Sequence, residues 1–411
     1  MAIKKGTKIN TVSQVSSNAG IKFYHPAATP GCHCPMHTVL ATLFSMEQVS
    51  TLVVGTAECG YYSRFVCNNP FGKHGELHYV YELDSNEVVF GCRNGVKDSL
   101  IQMDREGAKI IVLLITCVPS LIGEDAKSII EEVKSDIKAK VLYIDVAHFK
   151  RNGYYSGFTH TLEILVDALE HKGVLSHKNI GFLGDVKGLE GERLRNSLND
   201  GEIQIISVGK GYQLDKLSLV TGVSMNLVFN RKFLRFAKKI YEKYNIPYVP
   251  MYHGFNVDEM ISYYKLIEEK YQISLSHLYE DKNYKLAIDS SFLKGKKFIT
   301  TMIDLDVYPL AVFLTTLGME PVLFHVEEYD DDFAQYKVKF KELGVDPMVT
   351  YLTDRSQGVT LEDMDSYISI GVCKGILPNR TISEKVWMDL NGLYGLERTN
   401  QLLFLLDKIY R

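Results

Sequence analysis

Short runs of Val, Ile and Leu alternate with amphipathic stretches along most of this chain. The runs predict buried strands in three series, at residues 50–55, 86–91 and 109–116, at 179–184, 203–208, 225–229 and 247–252, and at 297–303, 321–326 and 367–372. Between them lie segments such as 231–244, whose apolar residues recur at helical spacing. This alternation is typical of parallel sheets with right-handed crossovers. We therefore predict an α/β protein of three doubly wound, Rossmann-like domains with mainly parallel sheets.

The length of 411 residues fits two to four domains of ordinary size. The breaks between the three series place an N-terminal α/β domain at 1–175, a second α/β domain at 176–290, and a third at 291–411 that ends in a helix.

The net charge and the apolar runs of the chain bear on which partners and which compartment to expect. The net charge of −4 and the scattered Lys and Arg residues predict no nucleic-acid partner. The longest apolar run, at 110–116, is too short to cross a bilayer, and the basic amino terminus is not followed by an apolar run. We expect no membrane association, no signal peptide and a cytoplasmic protein.

The cysteines are concentrated at one end of the chain. There are seven, and six of them lie within the first 117 residues, at positions 32, 34, 59, 67, 92 and 117. An odd number in a long chain does not fit a secreted disulfide scaffold. Two interpretations remain open, namely thiolate ligands or small buried packing residues.

Three of these cysteines fall where α/β proteins bind ligands. Cys59 follows the predicted strand that ends at Gly55, and Cys117 follows the strand 109–116 directly. Cys34 precedes a proline suited to the first turn of a helix, whose dipole would stabilise a thiolate. Ligands bind at the carboxyl ends of parallel strands, so these thiols are candidates for one site. Spacing alone does not establish it, because Cys92 also follows a predicted strand.

The segments around these cysteines resemble a known family. Residues 26–36, 54–63 and 116–125 are similar to the three cluster-cysteine motifs of the nitrogenase component 1 family, in the same order. Residues 87–91 resemble the strand that follows the second motif, and 317–322 show weaker similarity in the third domain.

The resemblance implies an iron–sulfur cluster, either a four-iron cube or a larger cluster at an interface between subunits. Cys34, Cys59 and Cys117 match the three cysteines with which a family subunit holds it. Three ligands are one short of a cube, so the fourth would come from a partner subunit or from Cys32. Cys32 also competes with Cys34 for the first position, for which we prefer Cys34.

The family's second metal site is not matched. Thr221 stands where the resemblance expects a cofactor-anchoring cysteine, and Val386 stands where it expects a histidine. Neither residue type can hold iron or molybdenum in that way. We therefore expect no FeMo-type cofactor and no dinitrogen reduction by this chain alone.

His148, His160 and His253 are candidates for proton delivery, although a structural role is favoured for each.

The family implies an oxidoreductase component that accepts electrons from an ATP-hydrolysing iron protein and reduces a small molecule. The sequence has no G-x-x-x-x-G-K-[ST] phosphate loop, so nucleotide hydrolysis would belong to that partner. A non-catalytic scaffold for metallocluster assembly and a metal- or chelate-binding protein without redox turnover are the alternatives. The partner at the cluster would be a second copy or a paralogous subunit.

Overall fold

The computed structural model describes most of the chain. The described residues are 10–17, 20, 34–44, 46–67, 69–147, 149–150, 154–173, 176–209, 214–280, 284–301, 307–326, 329, 331–350, 367–371, 381–383, 390 and 392–410.

These residues form strands and helices in regular alternation. The strands are β1 (Asn10–Thr11), β2 (Val49–Gly55), β3 (His78–Glu82), β4 (Ile110–Ile115), β5 (Lys140–Asp145), β6 (Asn179–Leu183), β7 (Gln204–Val208), β8 (Met225–Val228), β9 (Tyr248–Val249), β10 (Lys297–Thr301), β11 (Glu320–His325), β12 (Met348–Thr350), β13 (Ile368–Gly371) and β14 (Thr381–Ser383). The helices are α1 (Pro35–Leu43), α2 (Ala57–Ser63), α3 (Glu87–Phe90), α4 (Arg93–Arg105), α5 (Cys117–Leu121), α6 (Ala126–Val133), α7 (Tyr154–Leu165), α8 (Gly188–Asp200), α9 (Leu214–Leu219), α10 (Leu234–Tyr244), α11 (Val257–Tyr271), α12 (Ser276–Tyr279), α13 (Val307–Thr316), α14 (Asp331–Glu342) and α15 (Gly395–Tyr410).

The strands form three sheets, one for each predicted series. The first has the order β3-β2-β4-β5 and the second β7-β6-β8-β9, and all their strands are parallel. The third has the order β1-β12-β11-β10-β13-β14, and only β1 runs antiparallel to its neighbour. The predicted α/β class with mainly parallel sheets is confirmed. Because β1 pairs with β12, residues 10–11 lie in the third sheet, although the sequence analysis groups them with the first unit.

One predicted strand was wrong. Residues 86–91 contain α3, a single exposed helical turn, and the strand beside β2 is β3 at His78–Glu82. The backbone N–H groups of Asn86 and Glu87 both donate to Asp84 Oδ1, which starts a turn where the prediction placed a strand. The apolar run is too short for periodicity to distinguish a buried strand from an exposed turn.

The first two units share one hydrophobic core. Its buried residues come from β2 and β4 of the first sheet, from α1, α7 and α10, and from β6 and β8 of the second sheet. A Cβ atom on Gly157 of α7 would lie 2.6 Å from the carbonyl oxygen of Pro35. The glycine therefore lets α7 pack directly against the first turn of α1, which fixes the helix that follows Cys34.

The second and third units meet at the amino ends of α8 and α15, which both begin with Gly-Leu-Glu. The N–H of Glu190 donates to the carboxylate of Glu397 at 2.8 Å, and the N–H of Glu397 donates to that of Glu190 at 2.9 Å. Each glutamate thus caps the other helix. Tyr264 and Tyr284 also donate to Glu190 Oε1. Burial raises the pKa of Glu190 despite these bonds.

A buried histidine in the first sheet predicts acid sensitivity. His78 is 8% exposed, and its Nδ1 lies 3.0 Å from Thr51 Oγ1. Burial lowers the pKa of His78 from 6.5 to about 4, so below pH 6.5 the unfolded chain binds a proton that the folded chain does not. Stability is therefore lost as pH falls from 6.5 towards 4, by about 2 kcal/mol at pH 5. Urea unfolding of the apoprotein at pH 7.5 and pH 5 should show a smaller loss for His78→Asn; an equal loss would contradict the assignment.

Candidate cluster-binding site

The site is built on the carboxyl ends of the two central strands of the first sheet. Val54 of β2 pairs with Ile115 of β4, so the chain leaves the sheet at Gly55 and Thr116 side by side. Every residue of β2 and β4 is buried, and this makes the edge a rigid support. Cys59 lies in α2 just beyond Gly55, and Cys117 is the first residue of α5.

Cys34 is brought near Cys59 and Cys117 by a third segment of the chain. It is the residue before α1, and Cys34 and Cys59 both pack against the core shared by the first two units. The pKa of the Cys34 thiol is raised to about 11, first by burial and then by electrostatic repulsion from Cys117 and Cys59. The backbone N–H of Met36 opposes this rise. The three predicted cysteines are thus close enough to interact electrostatically.

Gly55 provides the room between these groups. A Cβ atom on Gly55 would lie 2.4 Å from Thr116 Oγ1 and 2.9 Å from both Cβ and Sγ of Cys59. These distances are shorter than van der Waals contact. The missing side chain therefore allows Cys59 Sγ and Thr116 Oγ1 to lie over the end of β2.

The other described cysteines have separate surroundings. Cys92 is 1% exposed, and its backbone N–H donates to Glu124 Oε2 at 2.8 Å. Burial is the main cause that raises the pKa of Cys67 and of Cys92 to about 12 each. Both suit a role as packing residues, which is one of the two interpretations that the sequence leaves open. Cys32 and Cys373 lie outside the described residues, so the choice between Cys32 and Cys34 stays a prediction.

The histidine candidates lie in packed surroundings. His160 Nδ1 is 3.1 Å from Glu163 Oε2 within α7. Burial lowers the pKa of His253 to about 3, and its ring contacts those of Tyr252 and Tyr336. A histidine that stays neutral in this way is a poor proton donor near pH 7. His148 lies outside the described residues.

Thr221, which stands where the resemblance expects a second metal ligand, lies before β8. Its buried hydroxyl donates to the carbonyl oxygen of Ser218 at 2.7 Å. At the carboxyl end of β8 lies Phe229, whose ring packs on Phe182 and Tyr394. Neither residue is a metal ligand of the expected type. Val386 lies outside the described residues.

Exposed apolar side chains surround the cysteines, and we call this surface the apolar rim. It consists of Tyr61 and Tyr62 of α2, Phe65 in the turn after α2, residues 88–90 of α3, and Leu121 and Ile122 at the end of α5. Phe90 is 85% exposed, Leu121 74% and Phe65 70%. Clustered exposure of this kind marks an interaction surface.

Among the residues that the structure describes, no three His, Cys, Asp or Glu side chains converge on a single metal ion. In the same part of the chain, no helix combines the length and the apolar composition needed to cross a membrane.

The fold is that of an α/β protein with three cysteines, Cys34, Cys59 and Cys117, near the carboxyl edge of its first sheet. Comparison with protein families agrees, because the model of the nitrogenase component 1 type oxidoreductases matches residues 34–377. This chain belongs to that family.

Curated relatives are similar over a shorter region. One is a subunit of the light-independent protochlorophyllide reductase of Pinus thunbergii, which is 26% identical over 183 residues, or 41% of this chain and 35% of the relative. Its counterpart from Gloeothece citriformis (strain PCC 7424) is 25% identical over 186 residues, 41% of this chain and 36% of the relative. The matches thus span about a third of the length of these relatives.

Solved structures with a similar fold cover most of the chain. A structure titled "Nitrogenase Cp1 at pH 6.5" has a TM-score of 0.66 at 15% identity and covers 95% of this chain and 94% of its own. A second, "Nitrogenase Cp1 at pH 5", has a TM-score of 0.56 at 14% identity and covers 98% and 92%. At these identities the likeness concerns the fold alone.

Gly55→Ala is predicted to damage the site. The added Cβ would collide with Thr116 and Cys59, so the apoprotein should lose about 1–3 kcal/mol and should retain less iron after reconstitution. The matched control is Gly181→Ala in β6, where a Cβ would lie 2.0 Å from Asn226 Oδ1. It should destabilise the protein without reducing iron per folded chain. Equal iron retention in the two variants, measured beside their unfolding curves, would contradict the prediction.

Proposed function

We propose that this chain holds an iron–sulfur cluster through Cys34, Cys59 and Cys117 and is the electron-accepting component of a nitrogenase-like oxidoreductase. The observation that carries the proposal is the placement of these cysteines. Cys59 and Cys117 follow the adjacent ends of β2 and β4, and Cys34 packs beside Cys59 on the shared core. Three thiolates brought together without a cation repel one another. Iron binding compensates that repulsion and favours the deprotonated thiolates.

The surroundings of the thiols fit such a group. Gly55 leaves space beside Cys59, and Thr116 presents a buried hydroxyl to the same space. The apolar core beneath Cys34 and Cys59 limits the access of water. When bound, an iron–sulfur cluster takes up and passes on electrons, and hydrogen bonds to its sulfurs and its exposure to solvent set its potential.

The apolar rim supports a functional unit of at least two subunits. Three cysteines supply three ligands, and a four-iron cube needs a fourth. A partner seated on the rim would shield the cluster from solvent and could supply that ligand. The partner is a second copy or a paralogous subunit, and Cys32 is the alternative source of the ligand within this chain.

Electrons would come from an ATP-hydrolysing iron protein, since the sequence has no phosphate-binding loop of its own. The substrate would be a small molecule other than dinitrogen, bound between the units. Thr221 supports this, because it stands where the resemblance expects a metal-ligating cysteine.

Anaerobic purification tests the proposal. The protein should be brown and contain about four iron and four sulfide per cluster. Reduction of the cluster by an iron protein and ATP, followed by turnover of a tetrapyrrole or a small sulfur compound, would establish an enzyme. A cluster that leaves for another protein without turnover would indicate the assembly scaffold, and protein free of iron and sulfide would refute the cluster.

A further inference from the structure

The side chain of Thr116 has a role that the cysteines do not explain. Thr116 lies between β4 and Cys117 and is 2% exposed. Its backbone is fixed on both sides, since its N–H donates to the carbonyl oxygen of Val54 and its own carbonyl accepts the N–H of Ser120, both at 3.1 Å. The position of its backbone, and with it of Cβ, is therefore set by the sheet and by α5.

The Thr116 hydroxyl does not cap the amino terminus of α5. A threonine before a helix normally accepts a hydrogen bond from an N–H of the first turn. Thr116 makes no such bond, and Oγ1 is buried without a hydrogen-bond partner among the residues that the structure describes. A buried hydroxyl left in this way costs about 1–3 kcal/mol, so its placement needs another explanation.

Geometry shows which group the hydroxyl faces. A single point, the position of a Cβ atom on Gly55, lies 2.4 Å from Thr116 Oγ1 and 2.9 Å from Cys59 Sγ. The hydroxyl and the thiol sulfur therefore border the same small space. Gly55 leaves that space open, and neighbouring Cys117 brings a second thiol to the same turn.

We propose that the Thr116 hydroxyl donates a hydrogen bond to the sulfur of Cys59 when that sulfur is a cluster ligand, and so raises the reduction potential of the cluster. Reduction increases the negative charge on the ligand sulfurs, and a donor stabilises that charge. Thr116 is thus a positioning residue that tunes electron acceptance. The inference rests on the proposed function, because it requires the cluster.

The test uses the full-length protein with its cluster and two substitutions. Thr116→Val keeps the shape and removes the hydroxyl, whereas Thr116→Ser keeps the hydroxyl. Anaerobic redox titration, followed by electron paramagnetic resonance, should show a more negative midpoint potential for the Val variant and a value near that of the wild type for the Ser variant. The control is Thr161→Val in α7, which removes a buried hydroxyl bound to the carbonyl oxygen of Gly157. It should leave the potential unchanged.

Each outcome decides the question. A Val variant that folds but keeps no iron, beside a Ser variant that does, also supports a contact between hydroxyl and cluster. Equal potentials in wild-type, Val and Ser proteins would overturn this inference and leave the proposed function intact. Loss of the cluster from both variants would assign Thr116 to packing and would overturn it as well. A wild-type protein without a cluster would overturn the proposed function and, with it, this inference.

Discussion

Replacing Cys117 by Ala is expected to remove most of the iron from the anaerobically purified protein. Cys117 is held at the first position of α5, directly beyond a fully buried strand, so its thiol is supplied from a rigid support. Loss of an outer-shell partner already costs about 10–100-fold in metal affinity. Loss of a thiolate ligand should cost more than about 100-fold, because water replaces sulfur poorly at iron.

The measurement is iron and sulfide per chain together with the visible spectrum. Cys67→Ala is the matched control, since Cys67 is a partly buried thiol that packs on the same core as Cys34 and Cys59. It should keep its iron. Full iron occupancy and an unchanged spectrum in Cys117→Ala would remove Cys117 from the ligand set.

The same assay separates Cys34 from Cys32 as the first ligand. Cys34 sits at the start of α1, where the backbone N–H of Met36 favours its thiolate. Cys34→Ala should therefore lose more iron than Cys32→Ala. A stronger loss from Cys32→Ala would show that Cys32 is the ligand.

The cluster-loaded protein is expected to be at least a dimer through the apolar rim. Tyr61 and Tyr62 lie on the helix that contains Cys59, and Phe65 lies in the turn that follows it. The three rings contact one another while remaining half or more exposed. Association would remove on the order of 150–250 Å² of surface per aromatic side chain from water. A charge placed there would have to be buried without a partner.

Phe65→Asp should therefore weaken the dimer by about 100-fold or more, which corresponds to about 2.7 kcal/mol. Anaerobic light scattering over a range of concentrations measures the effect. Phe404→Asp in α15 is the control, because Phe404 is 52% exposed and lies in the third unit, away from the rim. It should not change the oligomeric state. A wild-type monomer that keeps a complete, oxygen-stable cluster would contradict the prediction and would make Cys32 the fourth ligand.

Comparison of sequence and structure shows which patterns are informative. The runs that became β2 and β4 were predicted because central strands of a parallel sheet are buried on both faces, which leaves a continuous apolar run. The run at 88–90 is just as apolar, yet it forms exposed α3 on the rim. An apolar run in the sequence indicates a surface that is removed from water. That surface can be buried either in the core of the chain or against a partner protein, and the run does not distinguish the two.

The contacts that join the units could not be predicted from the sequence. The reciprocal capping by Glu190 and Glu397 links residues 207 positions apart, and the pairing of β1 with β12 brings the start of the described chain to the third sheet. Periodicity describes local order, whereas such contacts depend on how whole units pack.

In the candidate site, too, some features were predicted from the sequence and others were visible only in the structure. Residue type, position after a strand and resemblance to a family were sufficient to select Cys34, Cys59 and Cys117, because the carboxyl ends of parallel strands meet at one edge. The role of Gly55 and the direction of the Thr116 hydroxyl became visible only in the folded chain. Both depend on how close the end of β2 lies to its neighbours: a Cβ on Gly55 would be 2.4 Å from Thr116 Oγ1 and 2.9 Å from Cys59 Sγ. The register of β2 and β4 places Gly55 beside Thr116, and no spacing along the chain encodes that register.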